Sequence, residues 1–244
     1  MSQEVIPVLV AFHTARWIKV ALRSYHRHFP HDRVVVVDNN PRPGEPGWEP
    51  ACDTERDWLR SCSDVTLLSN DGPDKRHGAG IDVALDHCRT IGAEIMLHFE
   101  PDCLVTGSDW YEELWRPLNG GAWMAGNHCK LYGPIHPTPS MWRIDRVAGS
   151  FVDRPRGADA DHPRFAELFD LARLLDHVRV EAPQLESWWR ENWDTGQHNW
   201  FHAAAAGRAA LAKTTGDFHH YWRGSMLPEH PALTNDPRVV ELNA

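Results

Sequence analysis

Residues 5–12 are almost continuously apolar, Val5-Ile6-Pro7-Val8-Leu9-Val10-Ala11-Phe12, as in a strand buried on both faces of a parallel sheet. Thr14 then stands at a helix N-cap position, ahead of Trp17, Ile18, Ala21, Leu22 and Tyr25, whose spacing predicts an amphipathic helix. The alternation repeats. Val34–Val37 reads as a strand, Thr54–Cys62 as a helix, Val65–Leu68 as a strand, Gly78–Ile91 as a helix stopped by Gly92, and Glu94–Phe99 as a strand. Four strands interleaved with three helices predict a doubly wound α/β layer, whose ligands sit beyond the carboxyl ends of the strands where strand order reverses. Attention therefore falls on the loops starting at His13, Asp38, Ser69 and Glu100.

Regularity declines further along. Ser108 is placed to cap a helix running through Leu118, and Trp123–Ala125 and Ser140–Ile144 read as short strands. Residues 153–163 are rich in Pro, Gly and Asp and read as a surface connection, followed by helical periodicity over Phe165–Val178. This reads as a variable insertion near 153–180 in one domain spanning 1–244, with a regular half to about residue 105 and a less regular half after it. A chain of 244 residues suits that size.

Composition narrows the class. With 25 basic against 34 acidic residues the net charge is −9, and no basic stripe interrupts it, which argues against a nucleic-acid or membrane-surface partner. Cys52, Cys62, Cys88, Cys103 and Cys129 are odd in number and form no C-x-x-C pair, as expected of reduced thiols. No basic segment with an apolar run follows Met1, and no apolar stretch approaches the roughly 18 residues of a membrane span. The expectation is a soluble, cytoplasmic protein without a transmembrane segment.

Neither G-x-G-x-x-G nor the phosphate-cradling G-x-x-x-x-G-K-[ST] follows any predicted strand, which counts against dehydrogenases, common Rossmann methyltransferases and P-loop enzymes. Acids stand there instead: Asp38 after Val34-Val35-Val36-Val37, and Glu100-Pro101-Asp102 after Ile95-Met96-Leu97-His98-Phe99. Carboxylates repel phosphate unless a cation intervenes, and a divalent ion held by one or two carboxylates bridges the two. The pattern points to a metal-bound nucleoside diphosphate. Its alternative is a set of solvated loop acids.

Val8-Leu9-Val10-Ala11-Phe12, Val36-Val37-Asp38-Asn39-Asn40, His77-Gly78 and Phe99-Glu100-Pro101-Asp102 together resemble a GT-A nucleotide-sugar glycosyltransferase of the large inverting family two. The resemblance implies a Rossmann-like, mixed and mainly parallel sheet flanked by helices, with a C-terminal acceptor-side subregion. It implies that Asp38 meets the nucleotide base or ribose, and that Glu100 and Asp102 form the Asp-x-Asp element for ribose and metal, with Glu replacing the first Asp. Phe12, His13, Thr14, Arg16, Asn39, Arg76, His77 and Gly78 complete the expected nucleotide-sugar site. Asp217-Phe218-His219-His220-Tyr221-Trp222-Arg223-Gly224-Ser225 is similar to a late segment that supplies a metal ligand, and His220 fits its spacing better than His219. Asp102 and His220 are thus the expected metal ligands. An imidazole beside a carboxylate suits Mn²⁺ better than Mg²⁺, and either is the expected cofactor.

Asp194 resembles the acid that serves as catalytic base before a late helix, with Glu191 as the second candidate, although Asp194 followed by Thr-Gly-Gln is also an ordinary helix cap. The sequence has twelve tryptophans, most of them expected in the core. His136, Trp142 and Trp189 are the candidates for acceptor binding. His198 and His202 have the spacing of a zinc-protease pair, but Asn199 stands where the general-base glutamate is required. The expected enzyme transfers a sugar from a nucleoside-diphosphate sugar to a small-molecule or glycan acceptor. The alternatives are a sugar nucleotidyltransferase, disfavoured because Phe12-His13-Thr14-Ala15-Arg16 lacks glycine, and a noncatalytic carbohydrate-binding protein.

Overall fold

A computed structural model of the chain describes residues 5–127, 138–151, 195–212, 216–221 and 230–243. The first half follows the expected alternation: β1 (Val5–Ala11), α1 (Ala15–His28), β2 (Val34–Asp38), α2 (Pro50–Ser61), β3 (Val65–Ser69), α3 (His77–Thr90) and β4 (Ile95–His98). Then come β5 (Cys103–Val105), α4 (Asp109–Asn119), β6 (Met124–Asn127) and β7 (Ser140–Arg143). The C-terminal part supplies α5 (Gln197–Ala205), β8 (Ala209–Ala212), β9 (Phe218–His220), α6 (Ala232–Asn235) and α7 (Pro237–Asn243).

Seven strands form one sheet in the order β3-β2-β1-β4-β7-β6-β8, and β5 pairs with β9 in a separate antiparallel ribbon. β1 to β4 are parallel, β7 runs antiparallel to β4 and β6, and β8 is parallel to β6. The parallel part is the α/β layer expected from the apolar runs, and the whole is the mixed, mainly parallel, helix-flanked sheet that the resemblance implies.

The continuous apolar runs are explained by alternation of side chains across a sheet covered on both faces. Val8, Val10, Val35, Val37 and Met96 point to one face and pack with Ile81, Ala84, Leu85 and Cys88 of α3. Leu9, Ala11, Val34, Val36, Ile95 and Leu97 point to the other, under Ile18, Ala21, Leu22 and Tyr25 of α1 and Trp110, Leu114 and Leu118 of α4. A smaller cluster joins Trp17 and Val20 of α1 to Leu104, Leu233, Val239 and Leu242, so the C-terminal helices close on the first helix. Among the described residues no helix is long and apolar enough to cross a membrane.

The sequence pattern and the structure differ in three places. α2 begins at Pro50, four residues before the predicted start, because proline at the first helical position has a pre-set φ and no N–H to satisfy. Thr14 does occupy the N-cap of α1, yet its hydroxyl makes no capping bond and lies 3.3 Å from a Glu55 carboxylate oxygen. β5, β8 and β9 were not foreseen: they span only three or four residues, too few for periodicity to register, and Ala209-Ala210-Leu211-Ala212 has helical composition. The predicted helix over 165–178 lies outside the described residues.

Gly80 carries a test of the packing. In a helix interior Ala normally gains about 1 kcal/mol over Gly, but a Cβ on Gly80 would meet Val10 Cγ1 at 2.5 Å and Cγ2 at 3.0 Å. A valine held in one rotamer between sheet and helix has nowhere to swing. Gly80→Ala is expected to destabilise the protein by about 1–3 kcal/mol, the range for overpacking a tight core. A lower urea midpoint at unchanged slope checks it.

Candidate functional site

The chain leaves β1 toward β2 and β3 on one side, then returns as β4 on the other side of β1. The loops after β1 and β4 therefore diverge and leave a crevice beyond the strand ends, the place where open α/β sheets bind ligands. The β4 loop runs straight into β5, and the β5–β9 ladder sets Cys103 opposite His220. Tyr221 N–H donates to Asp102 O at 2.8 Å and extends the ladder by one step. Main-chain pairing thus carries an imidazole from the end of the chain to the two carboxylates after β4.

His220 Nε2 lies 3.0 Å from Glu100 Oε2 and 3.3 Å from Asp102 Oδ1. Burial disfavours the charged imidazole, but the hydrogen bonds and negative charges of Asp102 and Glu100 outweigh it and push the pKa up to about 10. On the far side of Glu100, His77 Nε2 stands 3.9 Å from Oε1 and 3.1 Å from Nε2 of buried His98. Glu100 N–H donates to Thr138 Oγ1 at 2.8 Å, which fixes the start of the turn. Asp102, Cys103 and His220 bring a carboxylate oxygen, a sulfur and an imidazole nitrogen within 4.8 Å of one another. Two carboxylates and an imidazole converging from adjacent strands fit a divalent ion of the Mn²⁺ type, since such an ion accepts mixed oxygen and nitrogen ligands.

A second network fills the end of β2. Asp38 is 1% exposed; its Oδ1 accepts from Asn40 N–H and Nδ2, both at 3.1 Å, and its Oδ2 from Arg56 Nε at 2.5 Å and Arg42 Nη1 at 2.6 Å. Asp38 stands at the strand end where the sequence places it, but with both oxygens engaged inside the protein. Asn39 donates to Lys75 O at 2.6 Å and accepts from Asn70 Nδ2 at 2.5 Å, which ties the β2 and β3 ends to the start of α3. Glu55 is buried and accepts from Asn40 Nδ2 at 2.8 Å. Burial pushes its carboxyl up despite the hydrogen bonds from Asn40 and Thr14.

The other expected nucleotide-side residues are arranged around these two networks. Phe12 is 42% exposed at the mouth of β1. His13 turns toward Glu49, with Nδ1 2.8 Å from Oε1. Arg16 is exposed on the first turn of α1, Arg76 is exposed and pairs with Asp74, and Gly78 is buried in the first turn of α3. On the acceptor side, Trp142 is 2% exposed, packs edge-on against Phe151 and donates from Nε1 to Ser140 Oγ at 2.8 Å. That is core packing, and it removes Trp142 from an acceptor surface. His136, Trp189, Glu191 and Asp194 lie outside the described residues. Asn199, noted for its place between two histidines, accepts from Ala148 and Gly149 N–H through Oδ1 at 3.0 and 2.9 Å and acts as a loop clip.

Sequence reasoning missed Arg42, Arg56, Glu55 and His98. A Glu-Arg pair in mid-helix reads as a solvated face, and only the crossing of α2 over the end of β2 buries it. His98 did carry a signal, as the one polar residue in Ile95-Met96-Leu97-His98-Phe99.

No known family model matches the chain, and no curated protein matches its sequence. Solved structures share its architecture in part. The galactosyltransferase LgtC in complex with donor and acceptor sugar analogs aligns at 13% identity over 98% of this chain and 95% of that one, with a TM-score of 0.48. A cytidylyltransferase from Leptospira borgpetersenii aligns at 12% identity over 88% and 78%, with a TM-score of 0.47. A 4-diphosphocytidyl-2C-methyl-D-erythritol synthase aligns at 13% identity over 100% and 99%, with a TM-score of 0.46. Likenesses of this degree do not bear on which reaction the chain performs. The fold class rests on the strand order and register of the chain itself.

Asp38 supplies a test of the charge network. Burial alone would raise its carboxyl, and the Arg56 and Arg42 hydrogen bonds more than reverse this and hold it below the ordinary carboxylate range. Removing one partner of a buried pair costs about 3–5 kcal/mol, so Asp38→Asn is expected to lose about 3 kcal/mol at neutral pH. A depressed folded-state pKa stabilises above the unfolded value and ceases to do so as pH falls through the folded one. Denaturant unfolding of wild type and variant should therefore converge in acid.

Proposed function

We propose that the chain is a metal-dependent glycosyltransferase, moving a sugar from a nucleoside-diphosphate sugar to a hydroxyl or amine acceptor with inversion. The observation that carries this reading is the meeting of Glu100, Asp102 and His220 at the reversal of strand order, where the β5–β9 ladder holds His220 Nε2 3.0 Å from Glu100 and 3.3 Å from Asp102. Acids at a phosphate site call for a cation, and this donor set suits one.

In this reading Glu100, Asp102 and His220 hold Mn²⁺ or Mg²⁺. The ion, when bound, neutralises charge on the departing diphosphate. The first turn of α3 reaches the same crevice through His77, and the positive end of this helix adds a favourable field for phosphate. Asp38 acts by positioning: it holds Arg42 and Arg56 beside the end of β2, where the nucleoside would lie. Catalysis needs the acceptor hydroxyl to attack the anomeric carbon while its bond to diphosphate breaks, and a base to take the hydroxyl proton. Asp194 is assigned that proton, with Glu191 next in order. His136 and Trp189 remain on the acceptor side. Residues from about 106 onward form the acceptor half, and the reading places the enzyme in the cytoplasm.

A nucleotidyltransferase is disfavoured by the glycine-free turn after β1, where His13, with φ +54°, takes the left-handed position that glycine would otherwise fill. Binding to Mn²⁺ and nucleoside diphosphate together distinguishes either enzyme from a noncatalytic carbohydrate-binding module.

Calorimetry with nucleoside diphosphates is expected to show binding that requires Mn²⁺ or Mg²⁺ and is weakened at least about tenfold in Asp102→Asn, in line with loss of a charged ligand. Metal-independent binding of full strength in that variant would remove the proposed centre.

For the base, Asp194→Asn keeps shape and capping capacity and is expected to lower turnover about 100-fold or more, with donor affinity and thermal stability nearly unchanged. Near-normal turnover with reduced stability would make Asp194 a helix cap and pass the role to Glu191.

A further inference from the structure

A second convergence of donor atoms lies between the turn after β1 and the start of α2. His13 Nδ1 stands 2.8 Å from Glu49 Oε1 and 3.7 Å from Cys52 Sγ. The three donor atoms all fall within 4.8 Å of one another. Two chain segments build this group: the turn leaving β1 and the first turn of α2. Glu49 is the N-cap of α2 and Cys52 follows three residues later, a spacing that places side chains next to each other across the first turn. His13 is held from the other side, its N–H donating to Asn40 Oδ1 at 2.6 Å.

One imidazole nitrogen thus faces both a carboxylate and a thiol. Its single proton, when present, serves one of them. A divalent cation serves all three. We propose that His13, Glu49 and Cys52 form a Zn²⁺ site, separate from the Glu100, Asp102 and His220 centre.

The ligand chemistry selects the metal. Thiolate with imidazole and carboxylate suits Zn²⁺, whereas Mg²⁺ and Mn²⁺ favour oxygen-rich sets. The geometry agrees. With bonds of about 2.0–2.3 Å, a tetrahedral Zn²⁺ separates its ligand atoms by about 3.3–3.7 Å. The His13 to Cys52 distance of 3.7 Å already matches, and the 2.8 Å between His13 and Glu49 must open by about half an ångström. The Glu49 side chain is 57% exposed and free to rotate that far. Cys52 is 2% exposed, so the sulfur is delivered from the protein side and the carboxylate from the solvent side. Three protein ligands leave a fourth position for water or for a small anion.

Zn²⁺ here ties the turn after β1 to the start of α2. It also braces Asn40, which links Asp38 to Glu55.

Co²⁺ titration of the full-length, metal-free protein tests the proposal, because a thiolate–Co²⁺ bond gives a near-ultraviolet charge-transfer absorption that oxygen and nitrogen ligands do not. Cys103 is the competing thiol, since it lies beside Asp102 and His220. The expected result is one thiolate-bound Co²⁺, displaced by Zn²⁺, with the absorption lost in Cys52→Ser and retained in Cys103→Ser and Asp102→Asn. Glu49→Gln and His13→Ala, both at the exposed mouth, should keep the fold by circular dichroism and weaken Zn²⁺ at least about tenfold. Three outcomes overturn the proposal: no thiolate absorption in wild type; absorption that survives Cys52→Ser and vanishes in Cys103→Ser; or unchanged Zn²⁺ affinity in His13→Ala, which decides the matter even where Cys52→Ser does not fold. Retained Mn²⁺-dependent nucleotide binding in Glu49→Gln and Cys52→Ser would separate this site from the crevice centre.

Discussion

Everything in this protein is arranged around β1, the strand paired on both edges. Val8 sits beside Val35 of β2 on one side and His98 of β4 on the other, with both faces of the strand covered by helices. A strand in that position has no exposed backbone polar groups along its length, and its seven residues lie wholly within the apolar layer except at the ends. The chain must therefore approach β1 from one side and resume on the other. That reversal opens the crevice, and the close seat of α3 on Val10 at Gly80 follows from the same central packing. The position of the chemistry is a consequence of how the core is closed.

Burial at the strand ends then has to be reconciled with acid, and the molecule does so in three ways. Asp38 is neutralised by two guanidinium groups, so its carboxyl stays ionised in spite of its surroundings. Glu55, a few ångströms away through Asn40, has hydrogen-bond donors but no cation of its own, and burial raises its pKa. Glu100 and Asp102 share the imidazolium of His220, the positive charge that a metal ion would replace. The same residue type thus behaves differently at each strand end, according to what the neighbouring element contributes. The third arrangement combines two carboxylates with an imidazole nitrogen, and its His220 and Glu100 side chains stay 16% and 19% exposed.

The contribution of the C-terminal part is small in length and large in effect. β9 is three residues long, yet its pairing with β5 brings His220 opposite Cys103, 117 positions earlier in the sequence. Asp217 reinforces the join, its carbonyl accepting from Thr106 N–H at 2.8 Å and its carboxylate from Asp109 N–H at 3.2 Å. Gly107 leaves room for that carboxylate, because a Cβ there would stand 2.3 Å from Asp217 Oδ2 and push the side chain aside.

The amino-acid sequence by itself determined the alternating α/β layer, because continuous apolar runs and 3.6-residue periodicity are local consequences of burial on two faces or one. It also pointed to the strand ends, where Asp38, Glu100 and Asp102 follow apolar runs directly. His220 was legible only through its resemblance to a late metal-ligand segment. What tertiary structure decided was partnership. Arg42 and Arg56 looked like surface charges until α2 crossed the end of β2, Thr14 looked like a helix cap until Glu55 was buried against it, and Trp142 looked like a platform until the sheet closed around it. Cys52 showed no metal-ligand spacing, because its partner His13 lies 39 residues away and comes within reach only through the packing of β1 beside β2. Local pattern records what each residue must bury; which distant residue meets it depends on long-range packing that no short window of sequence contains.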